Sequence, residues 1–218
     1  MPQLDSLYQE GVEQYAIDHS SNELPVLHKL TRATYLRTHS PNMLSGHLQG
    51  NLLQMISSMI KPRYILEIGT FTGYSAICLA QGLQPNGKLI TIDHNMELRK
   101  FATQYFEEAG FSEKIELLNG DASSVIPTLD YPFDLAFIDA DKDNYILYFN
   151  LIWEKLNNGG FILVDNTLWH GKVLTTQLNN DKDTLAVDAF NKYIKNHPQA
   201  KVVLLPFRDG LTLIQKIS

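Results

Sequence analysis

Two acidic clusters stand out for the chemistry their side chains could share. One is Asp139-Ala-Asp-Lys-Asp-Asn-Tyr145, the other Asp165-Asn166. Asp139, Asp165 and Asn166 carry oxygens of the kind that hard divalent cations take while keeping places open for water or substrate. No Cys or His joins them, so zinc is the poorer match. The first cluster is not an EF-hand loop, because the position that needs Gly is Asn144 and the position that needs Glu is Asn150. A solvated acidic loop is the competing reading. It weakens because each cluster follows an apolar run of strand type, Phe133–Asp139 and Phe161–Val164. If those strands pair directly, their ends lie about 5 Å apart. Lys142, inside the first cluster, is either a surface counter-charge or a base. An unperturbed lysine is almost wholly charged at pH 7, so the second role requires a cation and a substrate to outweigh Asp141 and Asp143. Trp169 and His170 follow the second cluster, either as loop packing or as a wall and a hydrogen-bonding group for a flat substrate.

A different chemistry belongs to Tyr64-Ile-Leu-Glu-Ile-Gly-Thr-Phe-Thr-Gly-Tyr-Ser75. It reads as a buried strand, a glycine turn and a helix, and nucleotides bind in the crevice at the carboxyl end of such a strand. The spacing is E-x-G-x-x-x-G, not the G-x-G-x-x-G of dinucleotide binders. The charge of Glu67 would repel a pyrophosphate but not a cationic nucleoside such as S-adenosylmethionine. A structural strand–turn–helix with a surface Glu is the alternative. Asp93, 24 residues after Gly69, is placed to accept hydrogen bonds from ribose hydroxyls or to cap the helix that follows. Asp121 caps the next helix or, with the Ala122 backbone, edges an adenine.

The elements that must position these residues alternate strictly. Helical periodicity covers 5–19, 22–38 and 44–60, with Asn22 as a candidate N-cap and Pro25 in the first turn. From Tyr64 onward, strands at Tyr64–Ile68, Lys88–Asp93, Lys114–Leu118, Phe133–Asp139 and Phe161–Val164 are separated by helices. The helix from Tyr145 runs to about Leu156, and Asn157-Asn-Gly-Gly160 ends it. A polar loop, Asn179 to Asp183, precedes the last helix. Lys201–Pro206 and Leu211–Lys216 flank a short turn and form an antiparallel pair. This order implies an α/β fold with a doubly wound, mainly parallel sheet. The 218 residues suit one domain, with 1–60 as an N-terminal helical lid and 61–218 as the α/β core. A net charge of -6 argues against nucleic acid as a partner. The single cysteine, Cys78, suits a cytoplasmic chain, and no apolar stretch is long enough for a membrane span.

Taken together, Leu66–Ser75, Phe137–Tyr145 and Val164–Trp169 resemble the metal-dependent class I O-methyltransferases of the caffeoyl-CoA and catechol type, especially their small bacterial members. The resemblance runs from about Met43 to the end of the chain. It implies a Rossmann-like seven-stranded sheet whose last strand is antiparallel, and a homodimer. It implies S-adenosylmethionine held by Glu67, Gly69, Thr70 and Ser75, with Asp93 on the ribose, Ala122 at the adenine and Asp141 at the amino-acid end. Met43 and Ser45 match the segment that closes over the cofactor. Asp139, Asp165 and Asn166 match the ligands of a divalent cation, Mg²⁺ first and Ca²⁺ or Mn²⁺ next. Lys142 matches the base. The chain departs from the plant enzymes at His170, where they carry Asn, and in a short loop after Gly171. The activity so implied is methyl transfer to a hydroxyl of a small aromatic with vicinal oxygens, catechol or caffeoyl-like. A nicotinamide-dependent oxidoreductase and a non-catalytic S-adenosylmethionine-binding protein are the alternatives, the first opposed by Glu67 and the missing G-x-G-x-x-G.

Overall fold

Nine residues of strand β5 (Leu156–Val164) and shorter runs at β1 (Tyr64–Ile68), β2 (Lys88–Asp93), β3 (Ile115–Asn119), β4 (Phe133–Ile138), β6 (Ala200–Leu205) and β7 (Leu211–Lys216) join in one sheet. The computed structural model describes residues 11–174 and 181–217. The sequence-predicted helical residues 5–10 and the loop residues Asn179 and Asn180 lie outside them. The strand order is β3-β2-β1-β4-β5-β7-β6. β1 to β5 pair in parallel, and β7 runs antiparallel to both β5 and β6. The order reverses between β1 and β4, which is where an open α/β sheet offers a ligand crevice.

Both faces of the central strands are apolar, as parallel strands covered on two sides require. Ile65, Leu89, Leu135, Phe137 and Leu163 face helices α2 (Pro25–Arg37), α3 (Gly46–Ile60), α4 (Tyr74–Ala80) and α5 (Arg99–Glu108). Leu66, Ile90, Ala136, Ile138 and Val164 face α6 (Ala122–Val125), α7 (Tyr145–Trp153) and α8 (Lys182–Lys195). Phe137, Phe149 and Phe190 are fully buried between these layers, each contributing about 2–3 kcal/mol of hydrophobic stabilisation. α1 (Val12–Asp18) buries none of its residues. α3, by contrast, places Leu53 and Ile56 in the core beneath α4.

Two boundaries differ from the sequence reading. Asn22 does not cap α2. Leu24 occupies the N-cap without a side-chain hydrogen bond, and Pro25 at the first helical position removes one of the donors a cap would satisfy. The residues Asn157 to Gly160 do not separate a helix from a strand. α7 stops at Trp153, β5 has begun by Leu156, and the pairing jumps from Phe133↔Leu156 to Leu135↔Phe161. The turn-forming residues make a wide bulge, pinned where Asn157 Nδ2 donates to Asp134 Oδ1 at 2.7 Å. Such a bulge needs the same left-handed glycine as a turn, here Gly159 at φ +81°. A 3₁₀ turn, Met96–Leu98, leads into α5. Among the described residues no helix is long and apolar enough to cross a membrane.

Candidate active site

The carboxyl ends of the parallel strands form one stepped edge. Each departing loop is pinned by a backbone N–H to a carbonyl near the end of the neighbouring strand. Gly69 N donates to Ile92 O (2.9 Å), Gly120 N to Asp93 O (3.1 Å), Asp139 N to Ile68 O (2.9 Å) and Asp165 N to Ile138 O (2.9 Å). Asp93, Gly69, Asp139 and Asp165 therefore stand side by side along the crevice. The approach of β1 to β4 requires a glycine. Gly69 has φ +97°, and a Cβ there would lie 1.9 Å from the Asp139 carbonyl oxygen.

On the β1–β2 side, Asp93 organises the glycine turn. Its Oδ2 accepts from Thr70 N (3.1 Å) and Phe71 N (2.8 Å), and its Oδ1 accepts from Asn95 N (2.8 Å). The surface reading of Glu67 is overturned, because the side chain is wholly buried. Thr91 Oγ1 donates to Glu67 Oε2 at 2.5 Å, and Thr91 is itself 2.6 Å from the Thr70 hydroxyl. Among the described residues Glu67 Oε1 has no hydrogen-bond partner. Burial pushes the Glu67 carboxyl up to about 8, against the opposing Thr91 and Ser75 hydroxyls. A buried acid with one unpaired oxygen is costly unless a ligand supplies the missing partner. Asp121 caps α6, accepting from Ser123 N at 2.8 Å. Ala122, the first residue of that helix, is buried.

On the β4–β5 side, Lys142 Nζ sits among acceptors. It donates to Asn166 Oδ1 (2.8 Å), Tyr145 Oη (2.7 Å) and Ala140 O (2.9 Å), and lies 3.7 Å from Asp139 Oδ1. Tyr145 is fully buried, and its Oη donates a hydrogen bond to Asp165 O at 2.9 Å. Asp165 is buried, with Oδ1 accepting from Asn166 N (2.9 Å) and Oδ2 from Gln49 Nε2 (2.8 Å). Asp139 is held above the usual carboxylate range by burial and then by the negative charge of Asp165, while Lys142 and Arg208 pull it back. Asn166 occupies a left-handed conformation, φ +57°, which turns its amide back toward Lys142.

The remaining predicted residues spread around this edge. Asp141 takes hydrogen bonds from Asn144 Nδ2 and, at 2.7 Å, from Tyr148 Oη. The Trp169 ring lies 5.5 Å from Lys142 Nζ, and its buried Nε1 has no hydrogen-bond partner among the described residues. His170 is exposed, with its backbone N–H on Asp209. Met43 ends a 3₁₀ turn, Pro41–Met43, and is exposed, whereas Ser45 is buried and its carbonyl accepts from Arg208. Sequence reasoning missed Thr91, Gln49, Arg208 and Asp209. For Gln49 a signal exists: it shares a helix face with Leu53 and Ile56 and is the polar member of that buried stripe.

A family model described as O-methyltransferase matches residues 17–217. The chain belongs to this family. Among curated relatives, this O-methyltransferase is 31% identical to caffeoyl-CoA O-methyltransferase 1 of Eucalyptus globulus, covering 99% of this chain and 90% of that protein. It is 30% identical to the probable caffeoyl-CoA O-methyltransferase 2 of Dictyostelium discoideum, covering 97% and 94%. Among solved structures, the O-methyltransferase TomG of Streptomyces achromogenes, crystallised with S-adenosylmethionine, superposes with a TM-score of 0.90 at 28% identity, over 99% of this chain and 100% of TomG. The SAH-bound methyltransferase PaMTH1 of Podospora anserina gives 0.89 at 27% identity, over 100% and 98%. The seven-stranded O-methyltransferase fold expected from the motifs is thus the fold observed.

Proposed function

We propose that this O-methyltransferase methylates a hydroxyl of a small aromatic with vicinal oxygens, catechol or caffeoyl-like, in a divalent-cation-dependent reaction. Its methyl donor is S-adenosylmethionine, and the relatives' names and the donor-bound fold of TomG support this. Glu67, Gly69, Thr70, Ser75, Asp93, Ala122 and Asp141 would hold the donor, beneath Met43 and Ser45. Among the described residues the buried Glu67 Oε1 has no hydrogen-bond partner, which fits a ligand that brings a polar group to it.

The observation that carries the cation dependence is the cluster at the ends of β4 and β5. Two carboxylates, Asp139 and Asp165, stand close enough for the charge of one to raise the other, and a lysine ammonium is drawn between Asp139 and the Asn166 amide oxygen. That is an all-oxygen donor set with an excess of negative charge, which fits a hard dication. Among the described residues no three His, Cys, Asp or Glu gather as a metal centre, so the third ligand here would be the Asn166 amide. A dication held there would supply Lewis-acid polarisation of a hydroxyl.

The protein's own groups do the rest. The Asp139–Asp165–Asn166 edge orients the acceptor. Trp169, stacked over Lys142, offers a flat wall. The acceptor oxygen attacks the methyl carbon, a C–O bond forms, and the C–S bond breaks with its electron pair left on sulfur. The hydroxyl proton would leave to the amine form of Lys142, and from the resulting ammonium to water. The test is methyl transfer from labelled S-adenosylmethionine to a panel of catechols, with Mg²⁺ and with a chelator. Turnover abolished by the chelator is the expected result. Turnover that survives it keeps the methyltransferase and removes the cation from the mechanism.

A further inference from the structure

Asp165 does not hold its orientation alone. Gln49, on α3, is 1% exposed, and a buried amide is tolerated only when both its ends are hydrogen-bonded. Its Nε2 donates to Asp165 Oδ2 at 2.8 Å, and its Oε1 accepts from an Arg208 guanidinium nitrogen. Arg208 lies in the turn between β6 and β7 at φ +49°. It also donates to the carbonyl of Ser45 and, at 3.2 Å, to that of Leu44. The chemistry fixes the direction of this chain. A guanidinium has donors and no acceptor, so the amide can meet Arg208 only with its oxygen, which leaves its N–H groups for Asp165. Were the amide reversed, two pairs of like groups would face each other in a buried site. With one hydrogen bond on each oxygen, from Asn166 N and from Gln49, the Asp165 carboxylate keeps lone pairs on both sides.

We infer that Gln49 and Arg208 are positioning residues for the cation site: Arg208 sets the Gln49 amide, and the amide sets the Asp165 carboxylate. The inference rests on the cation-dependent reading of the β4–β5 edge. Groups that orient a ligand in this way change cation affinity or activity by about 10–100-fold when removed. Because Arg208 acts through Gln49, the two are not independent, and their effects cannot add.

The experiment measures Mn²⁺ binding to the purified full chain by electron paramagnetic resonance, alongside thermal melting. The chains compared are the wild type, Asp165→Ala, Gln49→Leu, Arg208→Gln and the double variant Gln49→Leu/Arg208→Gln. The expected result is that Asp165→Ala loses the site and that each single variant weakens Mn²⁺ about tenfold or more. The double variant is then no weaker than Gln49→Leu. Equal Mn²⁺ affinity in wild type and Arg208→Gln overturns the inference, as do effects that multiply in the double variant. Should Gln49→Leu fail to fold, the surface substitution Arg208→Gln decides alone: a tenfold loss of affinity without a change in melting temperature supports positioning, and unchanged affinity refutes it. A wild type that binds no Mn²⁺, or an Asp165→Ala that binds it as well, overturns the cation reading itself and this inference with it.

Discussion

Glu67 offers the most direct physical test of the cofactor side of the site. The side chain is fully buried, one oxygen is unpaired, and burial raises its carboxyl from 4.5 to about 8. The sign follows from proton counting. Between those two values the folded chain keeps the Glu67 proton and the unfolded chain has lost it, so folding stability falls as pH rises through the window. The limiting slope is about 1.4 kcal/mol per pH unit. From pH 5.5 to 7.5, inside the window, this group alone removes roughly 2–3 kcal/mol, since it begins to ionise in the folded state near the upper end. The substitution Glu67→Gln keeps the shape and an acceptor for Thr91 but cannot ionise. The variant should be the more stable by about 1.4 kcal/mol at pH 5.5, one unit above the unfolded value. The gap should widen by pH 7.5, a difference of roughly 2–3 kcal/mol between the two pH values. For a domain of this length the difference amounts to about 5–10 °C in melting temperature. The assay is thermal unfolding of both chains without cofactor, in chelator, at pH 5.5, 6.5 and 7.5. Parallel pH profiles would refute the reasoning, because every other titrating group is common to both.

Three further outcomes follow from the geometry. Asp165→Ala should lower cation-dependent turnover by roughly a thousandfold, the worth of several kcal/mol of Lewis-acid stabilisation. Its affinity for S-adenosylmethionine, measured by calorimetry, should stay near that of the wild type, and undiminished turnover would remove Asp165 from the mechanism. Gly69→Ala would drive a Cβ to 1.9 Å from Asp139 O at φ +97°. Overpacking and the left-handed backbone together should cost about 2–4 kcal/mol in urea unfolding, and a loss under 1 kcal/mol would mean that the β1–β4 approach is not tight. Lys142→Ala should reduce turnover more at low pH than at high pH if Lys142 takes the substrate proton. A loss that is uniform across pH assigns it the holding of Asn166 and Tyr145 instead.

The sheet was legible because its strands are apolar runs closed by turn residues, and because β4 and β5 follow one another in the chain. Consecutive parallel strands are usually neighbours, and that alone brought Asp139 beside Asp165. The glycine turn was legible for the same local reason. What stayed hidden is tertiary. Gln49 meets Arg208 across 159 residues and Asp165 across 116, and a side-chain hydrogen bond over that distance has no local pattern. The only trace was a polar residue on an apolar helix face. The Asn157–Gly160 run was read correctly as turn chemistry and wrongly as a break, because a glycine bulge and a glycine turn require the same backbone. For Glu67, alternation along β1 assigns a face but does not say whether that face is covered. α3 and α4 cover it, so the surface alternative failed.

Lys142 is where two expectations from the sequence meet a constraint from the structure. As a counter-charge it is well placed, since three acceptors and the Asp139 carboxylate surround its ammonium. As a base it needs a free lone pair, and an ammonium has none. The two roles therefore belong to two states of the site. Of the three acceptors, Ala140 O and Tyr145 Oη are fixed, the first by the loop after β4 and the second by its bond to Asp165 O. Asn166 Oδ1 is the one with another use, as the amide ligand of the proposed cation. If that oxygen were committed to a cation, Lys142 would lose one of its three hydrogen-bond acceptors. The side chain that ties Asn166 to the loop after β4 would thus have to give up a proton and a hydrogen bond before it acted as a base.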